Sequence, residues 1–197
     1  MLRRHFLDSL AGVAELDALA ASAGETRVVD VGSGAGLPGL ALKIARPQHT
    51  YTLIESTAKR SRFLEWLIQD LALERVQVMA ARAEDIARRP EAREAFDLAL
   101  CRALGTLALV AELCLPLVRP GGRLLAYKGP RVAAEVEAGA AAAALLGARL
   151  VEVCPVPIPG LQRHLVIFAK LTPTPARFPR RPGMARQRPL AASGPVL

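Results

Sequence analysis

Val28-Val29-Asp30-Val31-Gly32-Ser33-Gly34-Ala35-Gly36-Leu37-Pro38-Gly39 decides how this chain is read. An apolar run carrying Asp30 leads into a glycine-dense turn, and an apolar-periodic run from Gly39 to Ala45 begins after Pro38. The pattern predicts strand, tight loop and helix. Glycines admit positive φ and let a ligand come close to the backbone. The helix start beyond them offers unpaired N–H groups. Together they predict a nucleotide-type cofactor site. Gly34, Gly36 and Gly39 match G-x-G-x-x-G, which leaves a dinucleotide reading open. Asp30 favours a different cofactor: a carboxylate at the strand end suits a cation, such as the α-ammonium of S-adenosylmethionine (AdoMet), better than a pyrophosphate. Glu55 closes the run Thr52-Leu53-Ile54-Glu55 about twenty residues on. An acid there accepts hydrogen bonds from ribose hydroxyls in either kind of site.

The totals set the frame. With 197 residues, 52% hydrophobic and 4% aromatic, the chain forms one domain with an aliphatic core. A net charge of +8 favours a polyanionic partner. Cys101, Cys114 and Cys154 are odd in number and scattered, which argues against a disulfide framework and lacks metal-ligand spacing. They read as small buried residues of a reducing cytoplasm. Met1-Leu2-Arg3-Arg4-His5 leads into no signal-peptide apolar stretch, and no run has the length of a membrane span. The expectation is a cytoplasmic monomer with no metal and no membrane association.

Outward from the opening stretch, strands and helices alternate. Tyr51–Glu55, Val76–Ala80, Phe96–Cys101 and Arg123–Lys128 read as strands, with Phe96–Cys101 buried on both faces. Ala58–Leu73 reads as a helix by Phe63, Leu64, Leu67, Ile68 and Leu71. Ala83–Arg88, Leu104–Val118 and Val132–Leu146 follow as helices. Leu150–Val156 and His164–Ala169 have no helix between them, only a loop through Pro157, Pro159 and Gly160, so they form an antiparallel hairpin. The fold class is α/β: a Rossmann-like, seven-stranded, mostly parallel sheet closed by an antiparallel hairpin, as in class I AdoMet-dependent methyltransferases. Ligands sit beyond the carboxyl ends of such strands. Residues 1–171 form that domain. Residues 172–197 shift to a basic, proline-rich tail, unlike a helix or a core segment. It is either a solvated tail or an arm that grips nucleic-acid phosphates through Arg177, Arg180 and Arg181.

Each strand end then offers a candidate. Ala83 and Glu84, past the third strand, face the adenine of an AdoMet site. Arg102, after the fourth, meets the methionine carboxylate or the substrate; a salt bridge to Asp30 or Glu84 is the plainer reading. Lys128, after the fifth, meets an anionic or carbonyl-bearing substrate, or is a solvated charge.

These residues resemble a family. Arg4-His5-Phe6-Leu7-Asp8-Ser9-Leu10, Asp30 to Gly39, Glu55 to Arg60, Arg82-Ala83-Glu84, Arg102-Ala103, Lys128-Gly129, Arg163-His164 and Phe178 to Gly183 are similar to the bacterial small-subunit ribosomal RNA guanine-N7 methyltransferases, also called glucose-inhibited division protein B. The resemblance implies methyl transfer from AdoMet to N7 of a guanine in 16S ribosomal RNA, either free or in the small ribosomal subunit. It implies cofactor contacts at Gly32, Leu37, Glu55, Ser56, Thr57, Ala83, Glu84 and Arg102; Asp30 and Gly34 join them from the loop reading. Lys128 and Arg102 are the candidate catalytic residues. Arg163, His164 and the tail arginines are the candidate RNA contacts, with Arg3, Arg4, Lys59, Arg60 and Arg62 beside them. His164 or Phe178 is the candidate stacking surface for the base. Relatives usually carry further helices ahead of the His5–Leu10 element, so an N-terminal helical extension is expected to be missing here. Three rival readings are a nicotinamide dehydrogenase, a non-catalytic RNA- or nucleotide-binding module, and a small-molecule methyltransferase.

Overall fold

The computed structural model describes residues 2–190; Arg3 and Arg4 side chains and residues 191–197 lie outside the described residues. Two helices, α1 (Leu2–Ser9) and α2 (Val13–Ala23), precede the alternation. It runs β1 (Arg27–Val31), α3 (Gly39–Ala45), β2 (Thr50–Ile54), α4 (Ala58–Asp70), β3 (Val76–Met79), α5 (Ala83–Ile86), β4 (Phe96–Arg102), α6 (Leu107–Cys114), β5 (Val118–Lys128) and α7 (Val136–Leu145). The hairpin β6 (Ala148–Ile158) and β7 (Leu161–Lys170) follows, then a short α8 (Met184–Gln187). The sheet order is β3-β2-β1-β4-β5-β7-β6. The first five strands are parallel, and β7 is antiparallel to both β5 and β6. Strand order reverses at β1 and β4, which fixes the crevice between their carboxyl ends as the ligand position.

Both faces of β1 and β4 are buried. On one face Val29, Ala99 and Leu124 pack with Leu107, Val110 and Ala143 of α6 and α7. On the other, Val28, Leu98 and Leu125 pack with Leu16 and Leu42. Cys101 and Cys114 are buried and Cys154 half-buried, all with free thiols. The Tyr127 hydroxyl donates to the Ser9 carbonyl at 2.8 Å and so ties the end of α1 to β5.

The opening stretch explains itself locally. Gly39 N–H donates to Asp30 Oδ2 at 2.9 Å. A Cβ on Gly39 would stand 2.7 Å from that oxygen and 2.8 Å from Leu53. Gly39→Ala therefore pushes α3 off β1. The expected result is a loss of roughly 1–3 kcal/mol of stability, read from denaturant unfolding.

Three expectations change. β5 begins at Val118, so Pro120-Gly121-Gly122 lies within the strand instead of before it; Gly122 lets Asp97 O pass where a Cβ would stand 2.6 Å away. The hairpin loop shrinks to Pro159-Gly160, because β6 extends through its prolines to Ile158. The tail is neither free of the core nor free of helix. Phe178 and Ala185 are buried in the α6 side of the core, and α8 forms within it.

Candidate active site

Three cavities join along the carboxyl ends of the central strands. The middle one, about 450 Å³, lies over Gly32, Ser33, Gly34 and Leu37 and is bounded by Arg60 and Arg102. A narrow one of about 150 Å³ runs from Gly32 past Ser56 to Ala83 and Glu84, with Leu104, Leu109 and Leu113 as its apolar wall. A third, about 250 Å³, lies between His5, Asp8, Tyr127, Lys128 and Arg163. Gly32 is shared by the first two, and Arg102 and Ala103 by the first and third. Contiguous through these shared walls, the three make up a channel, with Arg102 on the wall between its middle and third parts.

The middle cavity rests on a loop held by acids. Gly32 (φ +73°) turns the chain after β1, and a Cβ there would lie 2.7 Å from Leu104. Glu55 is buried; its Oε2 accepts from Gly34 N–H at 3.1 Å and its Oε1 from Thr57 N–H at 2.8 Å. A carboxylate has about four acceptor positions, so Glu55 keeps lone pairs beyond these two bonds, with Arg60 Nη1 3.9 Å from Oε2. Asp30 does not line a cavity, contrary to its expected opening onto a ligand. It lies beneath the loop, 1% exposed, with Oδ2 on Gly39 and Oδ1 without a partner. Burial pushes its carboxyl up to about 7.

That shift has a measurable consequence. The folded chain holds a proton on Asp30 that the unfolded chain releases near the ordinary carboxylate value. The resulting stability is fully present below the ordinary carboxylate value of 3.8, falls progressively as pH rises from there, and is gone once pH has passed through 7. From pH 6 to pH 8 the loss is about 1.4 kcal/mol, a fall in Tm of roughly 3–6 °C. Comparison with Asp30→Asn isolates it from His49, whose burial lowers its pKa and acts in the opposite sense. Equal pH dependence in the two proteins would refute the assignment.

The third cavity is built around Asp8, buried and set between two arginines. Arg102 Nη1 lies 3.4 Å and Arg163 Nε 3.8 Å from Asp8 Oδ2. Arg102 Nη1 also reaches the His5 carbonyl at 3.3 Å and Ser9 Oγ at 3.5 Å. Its partner is thus Asp8, and not Asp30 or Glu84. Lys128 is not a solvated charge: its Nζ donates to Gly105 O and pairs with Glu135, each at 2.6 Å. An ammonium has three donors, so one remains for the cavity. His164 Nδ1 lies 3.3 Å from Gly129 O, behind the strand end and off the cavity walls.

The tail forms the far wall of the narrow cavity. Gly183 and Arg186 line it, and Gly183 N–H donates to Glu84 Oε1 at 2.9 Å. The tail is strapped down. Arg180 Nη2 pairs at 2.5 Å with Glu112, a side chain 1% exposed, and Arg93 donates to the carbonyls of Thr174 and Phe178. Arg180 is consequently a structural ion pair and not a free phosphate contact. Phe178, buried under the strap, cannot stack a base. Arg177, over the Phe178 ring at 5.1 Å, and Arg181 remain exposed.

Asp8, Glu112, Glu135 and Gly183 were not singled out by sequence reasoning. Glu112 had one signal: an acid between Ala111 and Leu113 on an otherwise apolar helix, and so unable to turn wholly to solvent. Among the described residues no group of three or more His, Cys, Asp or Glu could hold a metal, and no helix is long and apolar enough to cross a membrane.

A family model described as rRNA small subunit methyltransferase G (GidB) matches residues 1–166. The ribosomal RNA small subunit methyltransferase G of Roseiflexus sp. (strain RS-1) is 45% identical over 191 residues, covering 96% of this chain and 80% of that protein. Its counterpart in Symbiobacterium thermophilum is 45% identical over 197 residues, covering 96% and 78%. Among solved structures, the antibiotic-resistance methyltransferase Kmr superposes with a TM-score of 0.60 at 21% identity, over 80% of this chain and 93% of that one. M. jannaschii TYW2 in complex with AdoMet gives 0.59 at 17%, over 81% and 76%. Those two share its fold. On the match over residues 1–166 and the identity to these relatives, the chain belongs to the rRNA small subunit methyltransferase G family.

Proposed function

We propose that this chain transfers the methyl group of AdoMet to N7 of a specific guanine in 16S ribosomal RNA. The observation that carries the reading is the channel of contiguous cavities, with a narrow part that holds Glu84 opposite a leucine wall and a wider part between Lys128 and Arg163. The narrow part suits adenine, with the Glu84 carboxylate and the Ala83 backbone at its amino edge. Glu55 suits the ribose. Asp30 serves from beneath, holding the loop through the Gly39 N–H. Ser56 and Leu37 line these cavities, and Thr57 acts through its N–H on Glu55.

AdoMet supplies an electrophilic methyl group. Guanine N7 carries a lone pair and no proton, so the chain needs no general base. Its work is orientation and exclusion of water. An arginine fork on O6 and N7 would block the nucleophile, so the base is held otherwise. The free N–H of Lys128 suits O6. Arg102, with donors beyond its Asp8 contact, stands at the wall where donor and acceptor meet. Arg163, Arg177 and Arg181 are left for phosphates, and His164 holds the Gly129 turn under Lys128. Monomeric action in the cytoplasm accompanies this reading.

The test is incubation with labelled AdoMet and undermethylated 16S RNA or small subunits, with the modified base mapped. N7-methylguanine is expected at one position. AdoMet binding without RNA methylation would favour a binding module, and preference for NAD would favour a dehydrogenase. Lys128→Ala is expected to lower turnover about tenfold with AdoMet Kd unchanged. Unchanged turnover would remove Lys128 from the reaction.

A further inference from the structure

Helix α4 buries Ser61 and Leu64 and half-buries Leu67 and Ile68 against the β2–β3 edge of the sheet. Its apolar pattern had placed Phe63 inward as well. Instead Phe63 is 43% and Trp66 55% exposed, on the side facing away from the core. Their ring centroids lie 5.9 Å apart at an interplanar angle of 34°. Lys59, Arg62, Phe63 and Trp66 follow i, i+3, i+4, i+7 spacing, so they form one stripe. Among the described residues neither Lys59 nor Arg62 takes part in an ion pair. The stripe starts at the channel mouth: α4 follows Glu55 by three residues, and Arg60 bounds the middle cavity.

An exposed aromatic pair in a chain with one tryptophan and five phenylalanines is costly to leave in water. Its occupant must offer flat apolar faces and negative charge together. Unpaired nucleotides do both, since bases stack on aromatic rings and phosphates meet Lys and Arg. From Lys59 to Trp66 the helix rises about 10 Å, a span suited to one or two extended nucleotides. A guanine drawn into the channel must leave its stack, which frees its neighbours from theirs.

We infer that the Lys59–Trp66 stripe of α4 is the docking surface for the single-stranded nucleotides flanking the target guanine. The inference rests on the RNA methyl-transfer reading. Trp66 is the sole tryptophan and reports on it directly. Titrating the whole chain, with AdoMet present, with a single-stranded RNA oligonucleotide should quench its fluorescence; the same sequence as a duplex should not. In the methylation assay, Phe63→Ala/Trp66→Ala should raise KM for RNA tenfold or more, with AdoMet Kd and Tm little changed. Lys59→Ala/Arg62→Ala should reduce the slope of log affinity against log salt by roughly 1.4.

If the wild-type chain methylates RNA but the aromatic variant keeps its KM and Trp66 stays silent, the stripe is not the docking surface. An aromatic variant that alters only self-association, seen by sedimentation, overturns it equally in favour of a second copy. A wild-type chain that binds AdoMet and methylates no RNA overturns the underlying reading instead.

Discussion

Arg180→Ala is expected to lower Tm by roughly 10 °C and to weaken AdoMet binding about tenfold. The two effects have separate causes. Glu112 is all but fully buried, and Arg180 supplies its guanidinium partner and its backbone N–H. Removing the side chain leaves a buried carboxylate without a countercharge, a change that costs about 3–5 kcal/mol. The cofactor effect is indirect. With the pair gone, the strap loosens, and Gly183 releases the Glu84 carboxyl at the base end of the channel. Replacing both partners by methionine removes the charge problem while keeping volume, so Arg180→Met/Glu112→Met should regain most of the Tm. If the strap then docks again, AdoMet affinity returns with it. Thermal unfolding and calorimetric titration read the two separately. Arg177→Ala/Arg181→Ala is the control: both side chains are exposed, and neither quantity should move. A normal AdoMet Kd in a destabilised Arg180→Ala protein would show that the strap holds the fold and not the site.

The strap also marks where sequence reasoning stops. The parallel sheet, its closing hairpin and the glycine loop were legible because each follows from local pattern: alternation of elements, a missing helix between two strands, glycines after an apolar run. That Glu84 and Arg102 line the cavities, and that Glu55 sits beneath the loop, follows from their places at or just past strand ends. The strap was not. Proline and arginine density reads as solvated chain, yet Phe178 finds a slot beside α6, and Arg180 finds Glu112 across 68 positions of sequence. Pairings at that distance leave no periodicity to read. Asp30 failed for the opposite reason. Its place at the end of β1 was legible, but nothing in the sequence shows that Gly39 folds back over it and closes it from solvent.

Arg102→Ala is expected to lower kcat/KM at least 100-fold, and Arg102→Lys nearly as much. Arg102 ends β4, next to β1 and β5, and its side chain bounds both wide cavities of the channel. Through Nη1 it draws the His5 carbonyl, Asp8 and Ser9 toward the strand ends, so it also sets where α1 lies over the third cavity. Without it, α1 keeps, among the described residues, the distant Asp8–Arg163 contact at 3.8 Å and the Tyr127–Ser9 bond as its polar ties on that side. The third cavity then loses its shape just where N7 and the methyl group must line up, and a misplacement of about 1 Å can cost 100-fold. A lysine cannot stand in, because its single ammonium lacks the planar fork that engages α1 and the channel together. The expected signature is a fall in kcat that exceeds any change in AdoMet Kd, with guanine N7 still the modified atom. Equal losses in AdoMet Kd and kcat/KM, with kcat preserved, would make Arg102 a cofactor clamp and leave alignment of the base to Lys128 and Arg163.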